Sequence, residues 1–234
     1  MKRIAIIAAA GTAACAISLA VAIPAFAAGT PTVDGHSSLA QIQAAAATAT
    51  SDRITKLKTA IGKVDANTSL TASDRAKVLA TFNADLTAMG SLESKIAADT
   101  TAATALTDYR EIFTGYRVYA VAIPQAFEAA AGDRLTGTAI PKLQSAHDKL
   151  AANLAAHPDK WTDAMKAQLT DMASKISDAS SHANGLAGRA LAVTPAQYNS
   201  DKTVITSIRA DLKTAVADTK AASADGHALL KALK

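Results

Sequence analysis

The strongest constraint on this chain is a spacing. Met165, Leu169, Met172, Ile176, Ala179, Ala183, Leu186, Ala190 and Val193 follow one another at alternating intervals of four and three residues. Ile205, Ile208, Leu212, Ala215, Thr219, Ala222, Gly226, Leu229 and Leu233 repeat the pattern. Such spacing keeps one apolar line against a neighbouring helix, whereas a strand needs alternation at every second residue. At a 1.5 Å rise, helices of ~30 residues would be ~45 Å long and would pack lengthwise. Between them, "TPAQYNSD" supplies the separating loop.

The rest of the chain reads the same way. A first helix is expected from Ser38 to Asp65, with Leu39, Ile42, Ile54, Leu57, Ile61 and Val64 on one side. "ANTSLT" breaks it, and Thr71 followed by Asp74 gives a capping-box-like start to a second helix carrying Leu79, Phe82, Leu86, Met89 and Ile96. In the third segment, Leu106, Tyr109, Phe113, Tyr116, Ala120, Ile123 and Phe127 form a further heptad line. Pro124 lacks an N–H and is expected to kink or divide that helix. Gly132, Gly137 and Pro141 mark a second weak zone before Ile140, Leu143, His147, Leu150 and Leu154, and "HPDKW" ends the helix. Alanine, about a quarter of the residues, favours helices whose backbones approach closely. The expected fold is all-α: an elongated antiparallel helical bundle with coiled-coil-like seams, forming a single domain over 38–234.

Residues 1–27 read as a signal peptide. Lys2 and Arg3 supply the positive start, Ile4 to Ile23 is uncharged and apolar, and Ala25, Phe26 and Ala27 form a small-x-small cleavage site. Cleavage after Ala27 would leave a flexible N-terminal segment, 28–37, ahead of the bundle and no membrane span. The rival is an uncleaved anchor, since the apolar run approaches the ~20 residues that cross a bilayer. Cys15, the one cysteine, lies inside this leader as a small apolar residue, so the remainder has neither disulfides nor a thiol nucleophile. Taking Lys2 and Arg3 from the 24 basic residues and setting the remaining 22 against 20 acidic ones leaves a net charge of +2. That balance, with basic residues interspersed among aspartates, argues against a nucleic-acid footprint.

Catalytic patterns are missing. No Gly-x-Gly-x-x-Gly, Gly-x-x-x-x-Gly-Lys or Gly-x-Ser-x-Gly occurs. A di-iron bundle needs Glu-x-x-His, yet Glu93, Glu111 and Glu128 are followed three residues later by Ile96, Thr114 and Ala131. Asp178 and His182 share a helix face as a surface pair, and Gly185 and Gly188 are expected to allow close packing within a helix that continues. No enzymatic activity and no cofactor are expected.

The one local concentration of chemistry is "TDYREIFTGYRVYA". Its two heptads are in register, so Tyr109 and Tyr116 fall on one seam and Arg110 and Arg117 stack beside it, with Tyr119 widening the face. This is the candidate interaction site. One reading makes it an aromatic–arginine surface for a glycan, haem or a partner peptide. The other puts the rings in the core, with Tyr116 buried and Arg117 at the edge, held by an acid or a carbonyl.

The stretch "IFTGYRVYAVAIPQ", followed by Asp133, Arg134 and the Thr194–Pro195 loop, resembles uncharacterised exported α-helical bundle proteins, mainly actinobacterial, that carry an FTxYRVYAxxxPQ motif. The matching positions run from Phe113 to Gln125. The resemblance implies export and an elongated bundle, and it implies no activity. Together these readings lead to an expectation: a secreted or cell-surface module acting on a protein, a cell-wall polymer or itself. The alternative is an extracellular carrier of haem or another apolar ligand, through Tyr109, Tyr116, Tyr119 or His147.

Overall fold

The computed structural model describes residues 33–234, so the expected leader, the expected cleavage site after Ala27 and Cys15 lie outside the described residues. A hydrogen-bonded turn over Asp34–Ser37 leads into Ser38. Ser38 and Gln41 cap α1 (Leu39–Asp65) reciprocally: Ser38 Oγ accepts the Gln41 N–H at 3.3 Å, and Gln41 Oε1 accepts the Ser38 N–H at 2.8 Å. Thr71 starts α2 (Ala72–Ala98) by accepting the Asp74 N–H at 3.1 Å. Thr101 does the same for α3 (Ala102–Thr114).

Beyond α3 the backbone departs from the expected heptad line. A π-helical turn occupies Val118–Ala122, and α4 runs from Ile123 to Arg134. A second π turn, Leu135–Ala139, leads to α5 (Ile140–Ala156), and a short 3₁₀ turn follows at Pro158–Lys160. Both π turns pass into the next helix through the same tripeptide, Ala-Ile-Pro. Each proline stands at the second position of the helix that follows. The Ile123 and Ile140 N–H groups donate to carbonyls five residues back, on Val118 and Leu135. The widened turn moves the preceding carbonyls away from the ring and absorbs the missing donor. The chain therefore stays helical through Pro141, because Leu135 and Ile140 keep right-handed helical torsions.

The remaining elements are α6 (Asp163–Ala183), α7 (Leu186–Leu191), α8 (Pro195–Ser200) and α9 (Thr203–Ala232). Every position of the 165–193 seam is buried, yet the helix that carries it is not continuous. After 21 residues α6 ends where Asn184 takes ψ 124°, and Gly185 then adopts a left-handed conformation, φ 63°, before α7. Continuity through Gly185 and Gly188 is thus corrected to a break at Gly185. The 205–229 positions on α9 are all buried, with Leu233 half-buried at the end.

Helix makes up 85% of the described residues and no strand occurs among them, so the bundle is built by helix packing alone. Two apolar clusters contribute to its core, alongside buried Leu135, Leu186, Ile208 and Leu212, which belong to neither. In the first, Ile42, Leu57, Phe82, Met89, Ile96 and Ile112 join α1, α2 and α3, and α4 adds Ala126 and Ala129. Trp161, Leu169, Met172, Ile176, Ala222 and Leu229 form the second, between α5, α6 and α9. α4 packs closely on α7: a Cβ on Gly132 would stand 3.0 Å from the Ala187 nitrogen. In the first pair, Gln43 near the start of α1 donates to the Ile96 and Ala97 carbonyls at the end of α2. In the second, Lys175 reaches Asp225 while His182, later on α6, lies near Asp211, earlier on α9. His182 therefore faces Asp211 rather than Asp178.

Candidate functional site

The tyrosine–arginine stretch begins on α3, where the helical period buries Tyr109 and leaves Arg110 exposed. The Tyr109 ring meets Phe113 edge-on, with centroids 5.1 Å apart and planes at 64°. Into this aromatic group α1 inserts a cation. The Arg53 guanidinium lies 4.5 Å from the Phe113 ring centre and 4.9 Å from that of Tyr119, and its Nη1 donates to the Ala49 carbonyl at 2.8 Å. Arg53 is only 8% exposed and its Nε has no hydrogen-bond partner. Burial pushes its pKa below the ordinary arginine value, while the adjacent tyrosines and Asp52 act the other way. Aromatic faces stabilise a desolvated guanidinium, which explains a buried arginine held without a carboxylate.

Arg117 is the turning point. It adopts the left-handed conformation, φ 49° and ψ 39°, the one non-glycine among the described residues with positive φ. Its carbonyl accepts the N–H groups of Ala120, Val121 and Ala122 at 3.0, 2.7 and 3.3 Å, and so nucleates the π turn. Its side chain is held from α8: Nε donates to Asn199 Oδ1 at 2.7 Å, and the guanidinium lies 5.6 Å from the centre of the Tyr198 ring. Asn199 Nδ2 in turn donates to the Thr114 carbonyl at 2.9 Å, satisfying the end of α3. Arg117 is therefore held by a carbonyl oxygen, that of a side-chain amide.

This break dissolves the expected ladder. Tyr116 is half-buried instead of fully in the core, and Tyr119 joins Tyr109 around Arg53. Phe127, expected at the end of the same seam, is 50% exposed. Val118, Val121, Ala122, Gln125, Ala126, Glu128 and Ala129 are buried in its place. The left-handed residue and the π turn shift the phase of the buried face. Arg110 is exposed on α3, whereas Arg117 reaches Asn199 and Tyr198 on α8.

Acidic groups lie beside the site and further along α4. On α2, Asp85 has a buried Oδ2 without a partner, and burial pushes its pKa up to about 6. Tyr116 feels Glu111 and Asp85, and burial first of all raises its pKa. Lys95 donates to Asp108 at 3.0 Å across α2 and α3. Further along, buried Glu128 accepts Arg209 Nε at 2.6 Å, and Asp133 accepts the Thr71 N–H at 2.7 Å. Burial raises the Glu128 and Asp133 pKa values, while Arg209 and Thr71 respectively draw them down.

Spacing alone did not single out Arg53, Asp85, Glu128, Tyr198 or Asn199. For Arg53 a signal does exist. It falls in the line Ala46, Thr50, Arg53, Leu57, Ala60, Val64, at alternating intervals of four and three, and all six are buried. A cation inside an apolar register marks a buried, partnered charge. Asn199 and Tyr198 carry no such sign, because their role comes from contact with residues more than eighty positions away.

His147, the remaining candidate ligand, sits on α5 beside Leu143 and Leu150 of the second cluster, whereas Tyr109, Tyr116 and Tyr119 belong to the first. Its Nδ1 lies 3.2 Å from Asp148 Oδ1. Among the described residues, no group of three His, Cys, Asp or Glu side chains could hold a metal ion, and no helix is long and apolar enough to cross a membrane. A hollow of about 30 Å³ lies between α1 and α4, lined by Ala60, Val64, Phe82, Ile123 and Phe127 among others, which is room for a water molecule or two. Comparison with protein-family models, curated proteins and solved structures finds no match to this chain.

Proposed function

We propose that this is an exported, non-enzymatic helical-bundle protein, secreted or held at the cell surface of a bacterium, that works by presenting its outer faces to a partner. The observation that carries the reading is where the interior polar groups go. Glu128 bonds Arg209, Asp108 bonds Lys95, Asp133 bonds the Thr71 N–H, and Arg53 is gripped by Phe113 and Tyr119. Each of these four contacts joins two separate elements, so these groups serve the bundle, which supports recognition by its outer faces. The apolar leader with its small-x-small site supports export, as does the resemblance of the 113–125 stretch to exported actinobacterial proteins. In this reading the long helices lie lengthwise in an elongated antiparallel bundle. The haem-carrier alternative has less in its favour, because Tyr109, Tyr116 and Tyr119 pack in one core cluster and His147 lies beside the other.

Mass spectrometry of the protein from fractionated native cultures, after cross-linking, tests this reading. The expected species begins at Ala28, occurs in the supernatant or wall fraction and carries a cross-linked partner. A full-length chain confined to the cytoplasm would overturn it. Small-angle scattering tests the shape: the elongated bundle has a radius of gyration above the ~17 Å of a compact chain of this size.

A further inference from the structure

The charges of α9 are interspersed in sequence, but the helix sorts them. Asp211, Asp218 and Asp225 recur every seven residues and are half-buried. Asp211 accepts Arg189 Nη1 at 2.7 Å, and Asp225 accepts Lys175 Nζ at 2.7 Å and Gln168 Nε2 at 3.2 Å. The acidic line is thus turned toward α6 and α7. Lys213, Lys220, His227 and Lys234 also recur every seven residues, with Lys231 beside them, and all five are exposed. The ion pairs and hydrogen bonds of the described residues involve none of these four lysines. Every other exposed residue within Thr203–Ala232 is Thr, Ser or Ala, so no exposed acid neutralises the line on its own helix. At 1.5 Å per residue, successive heptad positions lie ~10 Å apart, and the line from Lys213 to Lys234 extends ~30 Å.

We propose that this exposed line of lysines on α9 is the docking surface for a linear anionic wall polymer, a glycan chain with a phosphodiester in each repeat. The inference rests on the exported-module reading above and names its partner. Four unpartnered ammonium groups along one face of the helix can follow a charged backbone without demanding a fixed fork geometry, as arginines would. No Phe, Tyr or Trp is exposed on this helix to stack bases, which sets it apart from a single-stranded nucleic-acid site. No exposed aliphatic side chain larger than alanine is present to enter a bilayer, which sets it apart from a membrane-binding helix. What remains is backbone electrostatics along a straight line.

The test uses the full mature chain and purified wall teichoic acid, with binding followed by calorimetry over a salt series. The logarithm of affinity should fall with the logarithm of salt at a slope of about −2 to −3, as expected for three or four neutralised phosphates. The variant Lys213→Gln/Lys220→Gln/Lys231→Gln should bind at least ~10-fold more weakly at low salt and lose ~2 from that slope. Lys58→Gln/Lys77→Gln/Lys166→Gln makes the same change in net charge elsewhere and should bind like wild type. Circular dichroism confirms that both variants fold. Equal binding by the α9 variant and wild type overturns the proposal. So does tighter, lysine-dependent binding to double-stranded DNA or to phosphatidylglycerol vesicles, which would assign the line to nucleic acid or membrane. If the wild type ignores the polymer, this docking surface is wrong, while a mature wall-fraction protein cross-linked to another partner would leave the exported-module reading standing.

Discussion

The half-buried carboxyl group of Asp85 is expected to contribute a pH dependence to stability. Asp85 has an unpartnered, buried carboxylate oxygen, and desolvation raises its pKa from 3.8 to about 6. The folded state therefore holds the proton more tightly than the unfolded chain. Its stabilising contribution is complete below the unfolded value and is lost as pH rises through about 6. Glu128 and Asp133 shift in the same direction, again through burial. Removing the charge while keeping the shape should abolish the Asp85 share. In urea unfolding, Asp85→Asn is expected to raise the midpoint at pH 7.5 and leave it nearly unchanged at pH 4. An equal effect at both values would mean that the carboxylate is well solvated.

At the scale of the elements, two left-handed residues divide helices, and they do so in different ways. Gly185 has open space where a Cβ would stand, so its requirement is one of backbone conformation alone. Gly185→Ala should cost ~1 kcal/mol, while Gly188→Ala, inside α7 and also in open space, should gain ~0.5–1 kcal/mol. Arg117 holds the same conformation with a full side chain, against a backbone penalty of ~1 kcal/mol or more. The Asn199 bond and the Tyr198 contact offset it. Arg117→Ala loses those contacts and keeps the penalty, whereas Arg117→Gly loses both. Thermal melts should accordingly place the glycine variant above the alanine variant by ~1 kcal/mol. The reverse order would show that Arg117 is unstrained. The two π turns show the complementary device: there the chain absorbs a proline by widening one turn and continues as helix.

Over the whole molecule, the question is whether the α1–α2–α3 cluster and the α5–α6–α9 cluster unfold together. The described residues pack as a single unit: α4, part of the first cluster, touches α7 and α9, whose buried Leu186, Ile208 and Leu212 stand outside both clusters. The one tryptophan provides a local probe. Trp161 is buried in the second cluster, with its indole N–H on Asn153 Oδ1 at 3.0 Å. Phe82 is buried in the first. Truncating a buried phenylalanine costs ~3–5 kcal/mol. For a chain of this size that lowers the melting temperature by ~6–20 °C. If the clusters unfold together, Phe82→Ala lowers the midpoint seen by Trp161 fluorescence as far as the one seen by circular dichroism. An unchanged fluorescence midpoint would mean that the second cluster melts alone.

Spacing and capping are local properties, and they were legible in the residues by themselves. The 165–193 seam, the 205–229 seam and the starts at Ser38 and Thr71 follow from which side chains recur on one face and which can accept an N–H three residues on. Where a helix breaks is a different matter, because the heptad line through Tyr116 and Phe127 is equally good on either side of Arg117. Only tertiary contacts settled it: Asn199 and Tyr198 hold Arg117 from α8, and Arg53 from α1 joins Phe113 to Tyr119 across the break. The charge pattern of α9 has the same logic. Its aspartates and lysines share one periodicity, and which line faces α6 and which faces solvent depends on where the neighbouring helices lie, since a helix has no inside until another packs against it.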